Sequence, residues 1–196
     1  MITAAVLAGG KSSRFGQNKL IAPLLGELLL EKTVKSALLV ADEVLIVGKG
    51  VKPKEFKGAK WIVEPFTGYS PLYGILTALK EARGERVLIL PGDCPLIRTE
   101  VLRLLTEKEP PAFIERNYLF AVLKKENFPL VEEMVREGVH RVRELHRRLK
   151  SREIKVKEVK LFDFKGVSFT NLNYFDEYRN LFLGREDEKA NGRGAD

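Results

Sequence analysis

The alternation of short apolar runs with amphipathic segments most constrains what this chain can fold into. The apolar runs have the length and composition of buried strands, and they lie at residues 2–7, 43–47, 60–63 and 86–90. Between them, apolar residues recur at helical spacing from Leu30 to Ala41 and from Pro71 to Leu79. Strands separated by helices imply βαβ units, so the sequence predicts an α/β fold with a mostly parallel sheet.

The second half of the chain is less regular. Residues 112–123 predict a hairpin that turns at Arg116 and Asn117, and residues 154–164 predict a further strand. Pro129 is predicted to open a helix that ends at Gly138. We expect one domain over residues 1–183, followed by a polar, disordered tail at residues 184–196.

Charge and composition narrow the class of protein. With 34 basic and 27 acidic residues the formal net charge is +7, which suits anionic partners such as nucleotides. Cys94 is the only cysteine, and no apolar run approaches the roughly 20 residues that span a bilayer. The N-terminus also lacks the basic region of a signal peptide. These features predict a cytoplasmic location, without a membrane partner.

The glycine pair after the first strand predicts a binding loop. Gly9 and Gly10 allow main-chain N–H groups to approach a ligand closely, and phosphate is the ligand that such groups favour. Arg14 and Lys19 would add positive charge. The spacing matches neither the Walker A motif nor the dinucleotide fingerprint G-x-G-x-x-G. The residues alone therefore leave two readings, a different phosphate loop or a plain glycine turn.

Residues 7–19, LAGGKSSRFGQNK, resemble the nucleotidyltransferase signature L-A-G-G-x-S-x-R-[MF]-G-x-x-K. Three further segments are similar to those of molybdenum cofactor guanylyltransferases of the MobA type: SPLYGILTAL at 70–79, LILPGDCPLI at 88–97 and VSFTNLNYFDEY at 167–178. The resemblance implies a Rossmann-like three-layer αβα sandwich of the nucleotide-diphospho-sugar transferase type, with a mostly parallel mixed sheet.

The resemblance also implies a reaction, the transfer of GMP from GTP to the terminal phosphate of molybdopterin with release of pyrophosphate. A phosphate monoester is largely ionised at neutral pH, so the reaction needs positioning, cations and a metal more than a general base. The expected cofactor is Mg²⁺, and the expected partners are GTP, a phosphorylated pterin and maturation proteins of molybdenum enzymes. Nucleic acid is not expected.

The family's nucleotide-binding residues map onto the glycine loop of this chain. By resemblance, Leu7, Ala8, Gly9 and Gly10 contact the nucleotide through their backbone, and Lys19 contacts its phosphates. Arg14 is expected to stabilise charge on the β- and γ-phosphates in the transition state. Arg14 and Lys19 are thus predicted to be catalytic.

Asp93 is the predicted Mg²⁺ ligand and a catalytic residue, because a hard cation prefers carboxylate oxygens and Asp93 follows the fourth strand. The resemblance adds Asn171 and Asn173 to the metal and phosphate site. It also implies that Glu64 reads guanine, since two carboxylate oxygens match the base's N1–H and N2–H₂ donors.

Three positions depart from the family pattern. Glu64 stands for the usual Asp, Ser70 for a Gly, and residues 117–119 for a His-Pro-[TV] segment. A nucleotidyltransferase that uses CTP or UTP on another phosphorylated acceptor is therefore kept as an alternative. An RNA-binding module is a second one, but the basic segment 136–160 contains none of the aromatic residues that such a module interleaves with basic ones.

Other polar residues carry weaker expectations. Four arginines of the basic segment could meet the pterin phosphate or an acidic partner, or only solvate a helix: Arg141, Arg143, Arg147 and Arg148. His140 and His146 are predicted at the surface. Cys94 is predicted to pack rather than react, and Thr99 is predicted to cap the helix that follows it.

Overall fold

A computed structural model describes residues 1–9, 23–24 and 27–170. Its strands are β1 Ile2–Leu7, β2 Pro23–Leu24, β3 Glu27–Leu28, β4 Glu43–Gly48, β5 Lys60–Val63, β6 Arg86–Pro91, β7 Ala112–Ile114, β8 Asn117–Lys124 and β9 Arg152–Ile154. Its helices are α1 Leu29–Leu38, α2 Pro71–Glu81, α3 Thr99–Glu107, α4 Phe128–Arg136, α5 Val142–Arg148 and α6 Val156–Val159. Two 3₁₀ turns lie at Lys125–Asn127 and Val167–Phe169.

Seven strands form one sheet in the order β5-β4-β1-β6-β8-β7-β9. β5, β4, β1 and β6 are parallel, whereas β8 runs antiparallel to both of its neighbours. The mostly parallel mixed sheet is therefore confirmed. β2 and β3 form a separate two-stranded ladder.

The two faces of the sheet bury two separate hydrophobic clusters, because neighbouring residues of a strand point to opposite sides. Ala4 and Val6 of β1 belong to the cluster beneath α1 and α3, whereas Ala5 belongs to the cluster beneath α2, α4 and α5. In β6, Leu88 and Ile89 divide in the same way. The three-layer αβα sandwich is confirmed. Burial of the central strands on both faces explains why they are continuous apolar runs in the sequence.

The predicted strand at 154–164 is wrong. β9 ends at Ile154, and the chain then forms the short helix α6, which Glu158 supports by accepting a hydrogen bond from the backbone N–H of Lys155 at 3.1 Å. The capping role of Thr99 is also wrong, because Thr99 is the first helical residue and Arg98 is the N-cap. The N–H of Arg98 donates instead to the hydroxyl of Ser168.

Other predicted boundaries are confirmed to within a residue or two, except that α1 ends at Leu38 rather than at Ala41. The hairpin between β7 and β8 turns at Arg116, whose φ of 64° lies in the left-handed region. α4 begins one residue before Pro129, and Gly138, with φ 71°, follows its C-terminal end. Among the described residues, no helix is long and apolar enough to cross a bilayer. The predicted tail at 184–196 lies outside the described residues.

Candidate active site

The carboxyl ends of four parallel strands meet at one edge of the sheet, and backbone hydrogen bonds continue past the strands there. The N–H of Ala8 donates to Val47 O at 2.7 Å, that of Glu64 to Gly48 O at 2.8 Å, and that of Gly92 to Leu7 O at 2.9 Å. From β1 the chain moves to β4 on one side and later returns to β6 on the other. Ligands of open α/β sheets bind at such a switch point.

The structure describes only the start of the glycine loop. Leu7, Ala8 and Gly9 lie at the switch point, with Ala8 buried and Gly9 exposed. The other predicted residues of the phosphate and metal site lie outside the described residues: Gly10, Arg14, Lys19, Asn171 and Asn173. Their roles stay predictions, and so does phosphate binding by a glycine loop whose spacing differs from the Walker A motif.

Asp93 lies just beyond β6, next to the end of β1. The register pairs Leu7 with Pro91, so Asp93 follows the strand neighbouring the glycine loop, and its side chain is half-buried. The buried Cys94 packs in the core below, with Sγ 3.8 Å from Asp93 Oδ1, which confirms a packing role for this cysteine. The described residues contain no group of three or more acidic, histidine or cysteine side chains placed so that they could together hold a metal ion.

Glu64 lies beyond β5, and its carboxylate reaches across to β1. The side chain is only 2% exposed. A Cβ added at Gly9 would lie 3.0 Å from Glu64 Oε2, and one added at Gly74 of α2 would lie 3.7 Å from it. The absent side chains of these two glycines therefore make the space that the carboxylate occupies. The structure thus brings together Glu64 and Gly9, two residues predicted for nucleotide binding.

Lys49, which follows β4, supplies the charge opposite Glu64. Its Nζ lies 2.8 Å from Glu64 Oε1, yet no described residue is oriented to donate a hydrogen bond to that buried oxygen. The ammonium donates to Phe66 O and lies 5.1 Å from the centre of the Tyr69 ring. Sequence reasoning missed Lys49. The sequence feature that could have indicated Lys49 is its position directly after a predicted strand, at the edge where ligands bind.

A second region of the edge lies beside β8, which neighbours β6 on the side away from β1. A cavity of about 500 Å³ is lined there by Pro91, Cys94, Tyr118, Arg141, Arg143 and Phe169, among others. An adjoining cavity of about 720 Å³ shares Tyr118, Arg141 and Arg143 with it. We call the two together the basic trough, because Arg141 and Arg143 line both parts and make no ion pair with any described residue.

The other two arginines predicted alongside them are held by carboxylates. Arg147 and Arg148 both donate to Glu144, and Arg148 also pairs with Glu137 at 2.7 Å. These hydrogen bonds from Arg147 and Arg148 lower the pKa of Glu144 to about 2, so the carboxylate is ionised at neutral pH. The structure therefore divides the four arginines into two that are available to an anion and two that are neutralised.

His146 is buried, which corrects the prediction that it lies at the surface. Its Nε2 lies 2.8 Å from Tyr118 O, and its Nδ1 lies 3.0 Å from Ser151 Oγ. Because a carbonyl only accepts, Nε2 carries the proton and Nδ1 accepts from the hydroxyl. Burial lowers the pKa of His146, partly offset by the bond to Tyr118. α5 turns this residue inward against Phe113, whereas His140 is exposed as predicted.

The fold and the strand edge define an α/β protein with a candidate site at the switch point of its sheet, and comparisons with known proteins give its family. Residues 4–152 match the family model of the MobA-like NTP transferase domain. A protein of Aquifex aeolicus named "Probable molybdenum cofactor guanylyltransferase" is 33% identical over 161 residues, 80% of each chain. A Clostridium perfringens protein of the same name is 31% identical over 94% of this chain and 98% of its own.

Solved structures give the same fold. The crystal structure of molybdopterin-guanine dinucleotide biosynthesis protein A from Archaeoglobus fulgidus superposes with a TM-score of 0.77 at 22% identity, covering 95% of this chain and all of that one. The family model covers most of the chain, and the relatives match along most of their length. The chain belongs to the MobA-like NTP transferase domain family.

Proposed function

We propose that this protein transfers GMP from GTP to the terminal phosphate of molybdopterin, carrying molybdenum or tungsten, and releases pyrophosphate. Membership of the family and the names of its relatives support nucleotidyl transfer. They favour an enzyme over an RNA-binding module. They also support GTP as the donor rather than the CTP or UTP of the alternative reading.

The observation that carries the proposal is the buried carboxylate of Glu64 beside Gly9. A carboxylate that is almost fully buried needs donors, and Lys49 meets only Oε1, whereas Oε2 faces the backbone of Gly9. Guanine presents N1–H and N2–H₂ on one edge, and these donors match carboxylate oxygens. Uracil and cytosine lack this pair of neighbouring donors. Glu64 is thus the residue that we assign to recognition of the base.

Asp93 is the residue that we assign to a magnesium ion. A half-buried carboxylate at the switch point fits a hard cation that is shared with phosphate oxygens. Bound there, the ion would neutralise charge on the transferring phosphate and on the leaving pyrophosphate. Lys19 and Arg14 of the glycine loop would contribute further positive charge, and Asn171 and Asn173 further ligands.

The basic trough is the place that we assign to the acceptor. It begins beside Asp93, and its wall combines apolar side chains such as Tyr118 and Phe169 with Arg141 and Arg143. A ring system with a phosphate suits this combination, because the ring needs an apolar wall and the phosphate needs cations. The nucleophilic phosphate oxygen is already ionised at neutral pH, so the described residues need not remove a proton.

The test is pyrophosphate release, measured with each of the four nucleoside triphosphates and Mg²⁺ against a panel of phosphorylated acceptors that includes molybdopterin. We expect release with GTP and molybdopterin together, and much less with either CTP or an acceptor that lacks the pterin. Preference for CTP over GTP would contradict the proposal. Delivery of the product to maturation proteins of molybdenum enzymes and a cytoplasmic location stay predictions.

A further inference from the structure

The chain places a longer carboxylate at position 64 than the family pattern does, and the structure shows what accompanies the change. Glu64 starts beyond β5, while the backbone that its Oε2 faces belongs to Gly9 beyond β1, two strands away. A glutamate has one more rotatable bond than an aspartate, so it can reach further but is less well fixed by its own backbone. Something must therefore hold the carboxylate in place.

Lys49 provides that restraint. β4 lies between β5 and β1, and Lys49 follows directly after β4. Lys49 therefore lies between the end of β5, where the Glu64 backbone is, and Gly9, which the Glu64 carboxylate faces. The ammonium is itself fixed by Phe66 O and by the Tyr69 ring, in addition to Glu64 Oε1 at 2.8 Å. It is also three-quarters buried. Because the ammonium is held at several points, it also restricts the position of the carboxylate with which it pairs.

The charge balance points the same way. Burying an ionised carboxylate without a cation is strongly unfavourable, and Lys49 is the only described residue in ion-pair contact with Glu64. Lys49 contacts Oε1, while Oε2 is the oxygen that faces Gly9. The two oxygens thus have different surroundings: one is paired within the protein, and the other is directed toward the glycine loop.

We propose that Lys49 is a positioning residue for selection of the guanine base, holding Glu64 by Oε1 so that Oε2 meets the donors of the base above Gly9. The inference rests on the proposed function, in which Glu64 recognises guanine. It assigns to Lys49 a role in nucleotide specificity that Lys49 performs through Glu64, without contact with the phosphates. Lys49 and Glu64 together would place an acceptor oxygen for the base, which the shorter Asp of the family pattern would do without a lysine.

The experiment measures GTP and ATP dissociation constants, with KM and kcat for GTP, in Lys49→Met, Glu64→Gln and the double variant. For Lys49→Met we expect GTP binding to weaken about tenfold, less than the loss of a charged group that touches the ligand directly, with ATP binding nearly unchanged. KM for GTP should rise more than kcat falls. Lys49→Arg should restore most of the discrimination, because it restores the charge.

Lys52→Met is the matched control. Lys52 lies three residues further along the same loop and forms an exposed pair with Glu55, so its removal changes the net charge equally without touching Glu64. GTP binding should not change in this variant. Lys49→Met could fail to fold, because it leaves a buried carboxylate without a cation. In that case Lys49→Arg and the uncharged double variant Lys49→Met/Glu64→Gln still report on nucleotide specificity.

The outcomes separate the two proposals. If Glu64→Gln removes the preference for GTP but Lys49→Met and Lys49→Arg keep it in full, the positioning role is wrong and the proposed function stands. If neither Glu64→Gln nor Lys49→Met changes the preference, base recognition by Glu64 is wrong, and the role of Lys49 is wrong with it. A double variant that binds GTP no more weakly than Glu64→Gln supports both proposals, since Lys49 then acts only through Glu64.

Discussion

The two halves of the sheet present charge at the active edge in different ways. In the parallel half, comprising β1, β4, β5 and β6, the charged pair of Lys49 and Glu64 is largely buried, and Lys49 is held by several contacts. In the distal half, comprising β7 to β9 with α4 and α5, Arg141 and Arg143 are exposed at the wall of an open trough. The first pair of charges is largely buried, and the second is exposed to solvent.

This difference teaches what each half can discriminate. A buried carboxylate rejects a base that lacks matching donors, because its own hydrogen bonds are then left unmade. Exposed guanidinium groups attract many anions, and salt screens them over roughly 8–10 Å. We therefore expect the parallel half to set nucleotide specificity and the distal half to contribute a weaker, salt-dependent attraction for the acceptor.

The largest effect is expected at Asp93, which lies where the two halves meet. Asp93→Ala should lower pyrophosphate release about a thousandfold, the upper range for removal of one electrostatic stabiliser, while circular dichroism and melting temperature stay close to the parent. Glu100→Ala, which removes an exposed carboxylate from α3, is the control and should keep full activity. Substantial Mg²⁺-dependent turnover in Asp93→Ala would contradict the metal role.

The next effect tests the distal half. The double variant Arg141→Ala/Arg143→Ala should raise KM for the acceptor about thirtyfold at low salt and much less at 0.5 M salt, because screening already weakens the attraction there. The control is Arg147→Ala/Arg148→Ala, which lowers the net charge equally but removes cations that Glu144 and Glu137 already pair. Equal effects of the two double variants would mean that only overall charge matters.

The parallel half could be predicted from the sequence far better than the distal half, for a physical reason. Strands buried on both faces leave continuous apolar runs, so the sequence predicts β1, β4 and β6 to within a residue, and the bounds of the partly exposed edge strand β5 are predicted as well. β9 is an edge strand of three residues whose identity depends on pairing with β7, and no local pattern distinguishes it from the helix that follows.

The site divides in the same way. Asp93 could be placed at the edge because it follows a recognisable strand, whereas Glu64 was singled out only by the family resemblance. Lys49 could not, since the sequence does not show which carboxylate a lysine will meet, and that partnership comes from the order of strands in the sheet. His146 was misplaced because charge surrounds it in sequence, whereas the turn of α5 directs it onto Phe113 and Tyr118.

A smaller effect tests how tightly the parallel half is packed. Gly9→Ala would bring a Cβ to 3.0 Å from Glu64 Oε2, so the carboxylate must shift by a few tenths of an ångström. We expect GTP binding to weaken about tenfold, consistent with the sensitivity of dense sites to one added methyl group. Gly68→Ala is the control, because its Cβ would lie 3.2 Å from Tyr73 Cε2, a slightly looser contact that does not involve Glu64, and it should leave GTP binding unchanged.

The smallest effect concerns the stability of the distal half, where His146 is the buried titratable group beneath α5. Burial lowers its pKa, so the unfolded chain takes up a proton at higher pH than the folded protein does. The stabilisation linked to the neutral ring is complete above the unfolded pKa, near 6.5, and is lost as the pH falls through the folded pKa. One proton limits the slope to about 1.4 kcal/mol per pH unit.

Urea unfolding between pH 7 and 5 measures this slope. In the parent protein the free energy of unfolding should fall as the pH drops below about 6.5. His146→Gln should flatten that fall, because glutamine can keep a donor toward Tyr118 O without titrating, whereas His140→Gln should leave it unchanged, because His140 is exposed. Equal slopes in the two variants would show that protonation of the buried ring does not contribute.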